Sequence, residues 1–121
     1  MPHLHLEYTV NLPDLNADVA LLRLNNALVG SGQFGAESDI KSRAVKVETF
    51  KVGTALAERG FVHVKLAVLS GRSSQIKKQL SESLLAVVQD LCAWPAGVEV
   101  QLCVEILDID RESYAKTAIG V

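Results

Sequence analysis

The sequence predicts an α+β fold in which one β-α-β unit is used twice, and three observations carry that prediction. Residues 3–10 (HLHLEYTV) align with residues 61–68 (FVHVKLAV) at an offset of 58, the separation of His5 and His63. Each of these apolar runs is followed by a stretch with apolar residues at helical spacing, closed by glycine or proline. Each helical stretch is in turn followed by a second strand-like segment. Right-handed crossovers make the two strands of each unit parallel. The expected product is a four-stranded mixed sheet with both helices on one face.

The elements follow in order. The first strand runs over residues 3–10. The first helix is expected to begin near Pro13-Asp14, where proline suits the first turn and aspartate suits the helix dipole. Leu15, Val19, Leu22 and Val29 mark its apolar face, and Gly30-Ser31-Gly32 ends it. The second strand runs from Ser42 to about Val52, and the third covers residues 61–68. Ser73 or Ser74 caps the second helix, which carries Ile76, Leu80, Leu84, Val87, Val88 and Leu91 and is closed by Pro95 and Gly97. At the repeat offset, Leu22 meets Leu80 and Val29 meets Val87. From Val98 to about Leu107, Val98, Val100, Leu102 and Val104 alternate with Glu99, Gln101 and Cys103, a half-buried strand. Residues 1–121 thus read as one domain, with pseudo-repeats over about 2–52 and 60–107. The extension 108–121 either frays or packs on a neighbouring subunit. Apolar residues on the sheet face away from the helices imply a homo-oligomer.

Composition narrows the function classes. A length of 121 residues with 49% hydrophobic content supports one real core. A net charge of -2 with only 5% aromatics argues against a nucleic-acid-binding sheet. No apolar run approaches the ~20 residues of a membrane span, and no basic, then apolar leader opens the chain. A soluble cytoplasmic protein is expected. Cys92 and Cys103 have neither metal nor redox spacing and read as buried free thiols. His3, His5 and His63 carry no accompanying carboxylate pattern, so no metal site is expected. Phosphate loops, nucleophile elbows and Cys/His pairing signatures are missing from the sequence.

Chemistry concentrates at the second residue. If Met1 is removed, Pro2 becomes a free secondary amine at the start of a strand, a base and nucleophile that no side chain supplies. An ordinary α-amino group titrates near pH ~7.7–8.0, and burial or nearby cations lower that value toward neutrality. Parallel strands begin at the same end, which places Lys41 and Arg43 at the Pro2 end of the sheet. A pseudo-two-fold relation between the units brings the end of the third strand there too, followed by Ser70-Gly71-Arg72-Ser73-Ser74. That glycine turn enters a helix whose N–H groups suit anions, and Arg72 adds a bidentate donor for a carboxylate. Without convergence, Lys41 and Arg43 are solvated strand-end charges and Arg72 is an ordinary turn residue.

Pro2-His3-Leu4, Ile40-Lys41-Ser42-Arg43-Ala44, Phe61-Val62-His63-Val64 and Gly71-Arg72-Ser73 stand in this order over nearly the whole chain. Together they resemble the 5-carboxymethyl-2-hydroxymuconate Δ-isomerase family of the tautomerase superfamily. The resemblance implies a homotrimer of β-α-β-β-α-β subunits. It also implies a cofactor-free keto–enol isomerase in the homoprotocatechuate branch of aromatic catabolism, acting on an unsaturated, carboxylated small molecule. Pro2 would be the acid/base, and Arg72 would bind a substrate carboxylate, with Lys41 and Arg43 as further substrate-binding cations. Where the family can carry arginine before Ser-Arg-Ala, this chain has Lys41, which keeps the charge and loses bidentate geometry. An acylated Pro2 nitrogen is neither basic nor nucleophilic, so the reading requires removal of Met1. The alternative is a non-catalytic oligomeric module, because ferredoxin-like binding domains share the same order of elements.

Overall fold

A computed structural model describes residues 1–120 of the chain. In order they form β1 (His3–Thr9), α1 (Ala17–Gly30), a 3-10 turn at Glu37–Asp39, β2 (Lys41–Val47), β3 (Arg59–Leu69), α2 (Ser74–Gln89) and β4 (Glu99–Ile109). The sheet order is β2-β1-β3-β4. Strands β1 and β2 pair in parallel, as do β3 and β4, and β1 meets β3 antiparallel at the centre. The expected α+β class and mixed sheet are therefore present. The two segments aligned in the sequence are the two central strands, with Leu6 facing Val64.

Period-2 alternation explains the core. Leu4, Leu6 and Tyr8 of β1 and Val62, Val64, Leu66 and Val68 of β3 point to one face and are buried. The helices cover that face with Ala20, Leu24 and Leu28 from α1 and Leu80, Leu84 and Val88 from α2. Each fully buried leucine or valine contributes about 1.5–3 kcal/mol through apolar transfer, which fixes the sheet's inner face against any one-residue slip.

Several local expectations are corrected. Helix α1 starts at Ala17, four residues after Pro13, because the Asn16 side chain caps it by accepting from the Val19 N–H at 3.1 Å. Leu15 is buried in the preceding turn, outside the helix. Val19, Leu22 and Val29 are 50%, 63% and 46% exposed, so they do not form the core face. The two core stripes, 20-24-28 and 80-84-88, are related by 60 residues, whereas the strand segments align in the sequence at 58. The strand offset, carried into the helices, therefore selects the wrong face of α1. Helix α2 is capped by Ser73 through the Ile76 N–H and ends at Gln89, ahead of Pro95. Strand β2 stops at Val47, short of Val52, while β4 continues to Ile109.

The face of the sheet away from the helices is mixed. Glu7 pairs with Lys65 at 3.7 Å, and His63 pairs with Glu105 at 2.8 Å. Among them stand the apolar residues expected there, Val45, Phe61, Ala67, Leu69, Leu107 and Ile109, of which Val45 and Leu107 are exposed in the single subunit. Cys103 is also exposed on this face and Cys92 is half-buried, so neither thiol has the buried position expected of it.

Candidate active site

Pro2 is fully buried at the head of β1, and its carbonyl accepts from the Lys41 N–H at 3.1 Å, extending the β1–β2 ladder by one bond. Because β3 runs the other way, its end lies beside this point, with Ala67 opposite His3. The chain then turns through Gly71, whose φ of 120° is a conformation that side-chain-bearing residues rarely adopt. The turn delivers Arg72 just before the Ser73 cap.

Arg72 is held in place by its surroundings. One Nη donates to the Gln33 carbonyl at 2.8 Å, the other to the Leu69 carbonyl at 3.4 Å. The guanidinium carbon lies 4.9 Å from the centre of the Phe34 ring. Its Nε is buried without a hydrogen-bond partner. Two Nη hydrogens are used by these carbonyls, and the fork retains one on each Nη for an incoming anion.

The chain's terminal amine, on half-buried Met1, samples the same electrostatic environment. Its pKa is lowered, first by burial and then by the charges of Lys41, Arg72 and Lys116, against an opposing pull from Asp39. Lys41 is itself held below the usual lysine range, chiefly by burial and by the neighbouring Lys116 charge. The Lys41 ammonium donates to the Asp39 carbonyl. The Lys116 ammonium donates to the Asp39 carboxylate at 2.7 Å and approaches Met1 Sδ at 3.6 Å. Asp39 thus ties down both lysines, one through its backbone and one through its side chain.

Of the four residues singled out from the sequence, Pro2, Lys41 and Arg72 lie around one point. Arg43 lies elsewhere: on the open sheet face its Nη atoms bond His5 Nε2 at 3.2 Å and His3 Nδ1 at 3.1 Å. It is not among the charges that act on the amine. His3 is kept neutral by burial and by the cations Lys41 and Arg43, its pKa lowered. With Nδ1 accepting from Arg43, Nε2 carries the hydrogen and donates to Tyr114 Oη at 2.9 Å. Among the described residues, no three His, Cys, Asp or Glu side chains converge as a metal site. Asp39 and Lys116 are the residues that sequence reasoning missed. Lys116 lies in a segment without periodicity, 75 positions from Lys41, and only the path of the chain brings them together.

The broadest depressions of the subunit surface lie at the opposite end of the sheet. One is formed by Asn11 and residues 50–59, the other by Phe61, His63, Gln101 and Cys103 with Lys51–Gly53. Neither holds an arrangement of charges like that at Pro2, so depth and chemistry do not coincide in the single subunit.

Comparison with known proteins gives a consistent result. A family model for 5-carboxymethyl-2-hydroxymuconate isomerase matches residues 2–120. The crystal structure of a 5-carboxymethyl-2-hydroxymuconate isomerase from Deinococcus radiodurans R1 is 29% identical, with a TM-score of 0.85 over 96% of this chain and 88% of that one. A 5-carboxymethyl-2-hydroxymuconate delta-isomerase shares the fold at 21% identity and a TM-score of 0.79, over 98% of this chain and 88% of that one. A fused 4-OT symmetric trimer does so at 18% identity and a TM-score of 0.70, over 98% and 94%. Among curated proteins no sequence matches. No helix among the described residues is long and apolar enough to cross a membrane.

Proposed function

This chain belongs to the 5-carboxymethyl-2-hydroxymuconate isomerase family and is an isomerase, and from that premise we propose that Pro2, freed by removal of Met1, is its acid/base. The observation that carries the proposal is the set of three cations acting on the buried head of β1, where the terminal amine is pushed toward its neutral form. Moved one residue along, the amine of Pro2 lies at the same strand head and among the same charges. A neutral secondary amine near pH 7 is a competent base.

The proposed substrate is 5-carboxymethyl-2-hydroxymuconate or a related unsaturated 2-hydroxy polycarboxylate. The Pro2 nitrogen takes the proton of the 2-hydroxyl, the O–H electrons form the ketone, and the displaced π electrons collect at the far end of the diene. The same nitrogen returns the proton to carbon there, giving the conjugated keto form with no net change in electrons. Arg72 pairs with a substrate carboxylate and opposes the charge that builds during enolisation, while Lys41 supplies a second positive charge. No cofactor is required for a proton transfer of this kind. Arg43, tied to His3 and His5, has a positioning role at the strand beneath the amine. We further propose a cytoplasmic homotrimer, in line with the trimeric 4-OT relative, working in the homoprotocatechuate branch of aromatic catabolism.

The test combines intact mass with an ultraviolet assay of enol loss. Protein lacking Met1 should turn over the substrate, and Pro2→Ala should lower kcat/KM by roughly 10²-fold or more, the usual share of a general base. Protein whose mass proves retention of Met1 should be inactive. Wild-type turnover by that form overturns the assignment of Pro2.

A further inference from the structure

The segment after β4 does not drift away from the sheet. Arg111 fastens it to the Ser70 carbonyl with contacts of 2.9 and 3.1 Å, one turn from Arg72. Tyr114 Oη then meets His3 at 2.9 Å, and Lys116 reaches Asp39 at 2.7 Å. These three ties carry the tail across the end of the sheet, from the β3 end to the β1–β2 end.

An ammonium has three N–H donors. In Lys116 one is used by Asp39, and another points toward the thioether of Met1 at 3.6 Å. Removal of Met1 takes that thioether away and frees the donor at the end of the sheet where Asp39 holds the ammonium. The charge balance there has a consequence for the ligand. Lys41, Arg72 and Lys116 against the Asp39 carboxylate leave a net positive charge of two, which favours a ligand with more than one carboxylate.

We propose that Lys116 is a substrate-binding residue, brought by the C-terminal segment and held ready by Asp39, which selects dicarboxylates by pairing with the carboxylate that Arg72 does not hold. The proposal rests on the reading of the Pro2 region as the active site, but it concerns binding and does not need turnover to be tested. A merely structural lysine would fasten the tail and treat mono- and dicarboxylates alike.

Calorimetric titration of Met1-free protein with trans,trans-muconate and with sorbate separates the two roles. These ligands share a six-carbon diene and differ by one carboxylate. The wild type should prefer muconate. Lys116→Met should weaken muconate binding roughly tenfold, the scale of one charge-assisted hydrogen bond, with little change for sorbate, and Lys116→Arg should restore it. Tyr114→Phe, which loosens the tail without altering the ammonium, should leave the muconate preference in place. The proposal is overturned if the wild type binds the two ligands equally, or if Lys116→Met keeps its muconate affinity. It is equally overturned if Lys116→Met weakens both ligands to the same degree. Failure of the Pro2 assignment would instead appear as full activity in Pro2→Ala, a result that leaves this titration decisive for Lys116.

Discussion

Replacing Arg72 by alanine separates a functional arginine from a structural one, because the structure allows both consequences to be estimated. The charged hydrogen bond to the Gln33 carbonyl at 2.8 Å is worth about 1.5–3 kcal/mol. The contact with Phe34 at 4.9 Å adds about 0.5–1 kcal/mol. The bond to Leu69 at 3.4 Å sits at the limit of useful geometry and contributes little. Against these stands the buried Nε–H without a partner, whose removal returns about 1–3 kcal/mol. The net loss of stability is therefore about 0–2 kcal/mol, a fall in Tm of no more than about 10 °C at this chain length. Loss of a carboxylate's charged partner costs more, about 3–4 kcal/mol, or roughly 10²–10³-fold in kcat/KM. The assay is enol loss in the ultraviolet at a temperature where thermal melts prove the variant folded. Folded Arg72→Ala with a kcat/KM close to wild type would refute the role assigned to this guanidinium. Arg72→Lys should recover only part of the loss, since an ammonium cannot span the Gln33 and Leu69 carbonyls while facing a carboxylate as a fork.

Two further outcomes follow from particular contacts. The Asp39 carboxylate stabilises the protonated amine and so raises its pKa; in Asp39→Asn the amine stays neutral to lower pH, and the acid limb of kcat/KM, which reports the free enzyme, should move to lower pH. A limb that stays put or moves up, measured in Met1-free protein, contradicts the placement of Asp39 beside the catalytic nitrogen. At the other end of the sheet, a Cβ on Gly60 would lie 2.7 Å from Thr9 Oγ1 and 3.0 Å from Asn11 Oδ1. The Thr9 hydroxyl cannot yield freely, because it accepts from the Phe61 N–H at 3.2 Å and is fully buried. Gly60→Ala should therefore cost about 1–3 kcal/mol by overpacking, read as a lower denaturant midpoint with kcat/KM unchanged; an undiminished midpoint removes the argument from close approach.

What could be read from the sequence was whatever rests on local period. The strands alternate strictly because one face is buried, so β1 and β3 and their common offset stand out without any structure. The helices were harder. Their core positions, Ala20-Leu24-Leu28 and Leu80-Leu84-Val88, include an alanine that attracts no attention, while Leu22 and Val29 are apolar and exposed. The buried stripes of the two helices stand 60 residues apart, and only packing reveals that the 58-residue alignment of the strands does not extend to them. Lys116 is the extreme case: no period marks it, and three side-chain ties set its position.

Lys41 and Arg43 show why placing a charge at the correct end of a strand does not place it in a site. Both pair with the same strand, Lys41 with His3 and Arg43 with His5, so both begin on the open face. Lys41 is the first residue of β2, with the Asp39 carbonyl exposed just before it, and its flexible four-carbon stem turns back over the strand end to reach that oxygen. Arg43 sits two residues inside the ladder, flanked by imidazoles of the neighbouring strand, and its planar fork fits between them. The depth of a residue in the ladder, rather than its charge, decides which side chain can leave the sheet face for the amine.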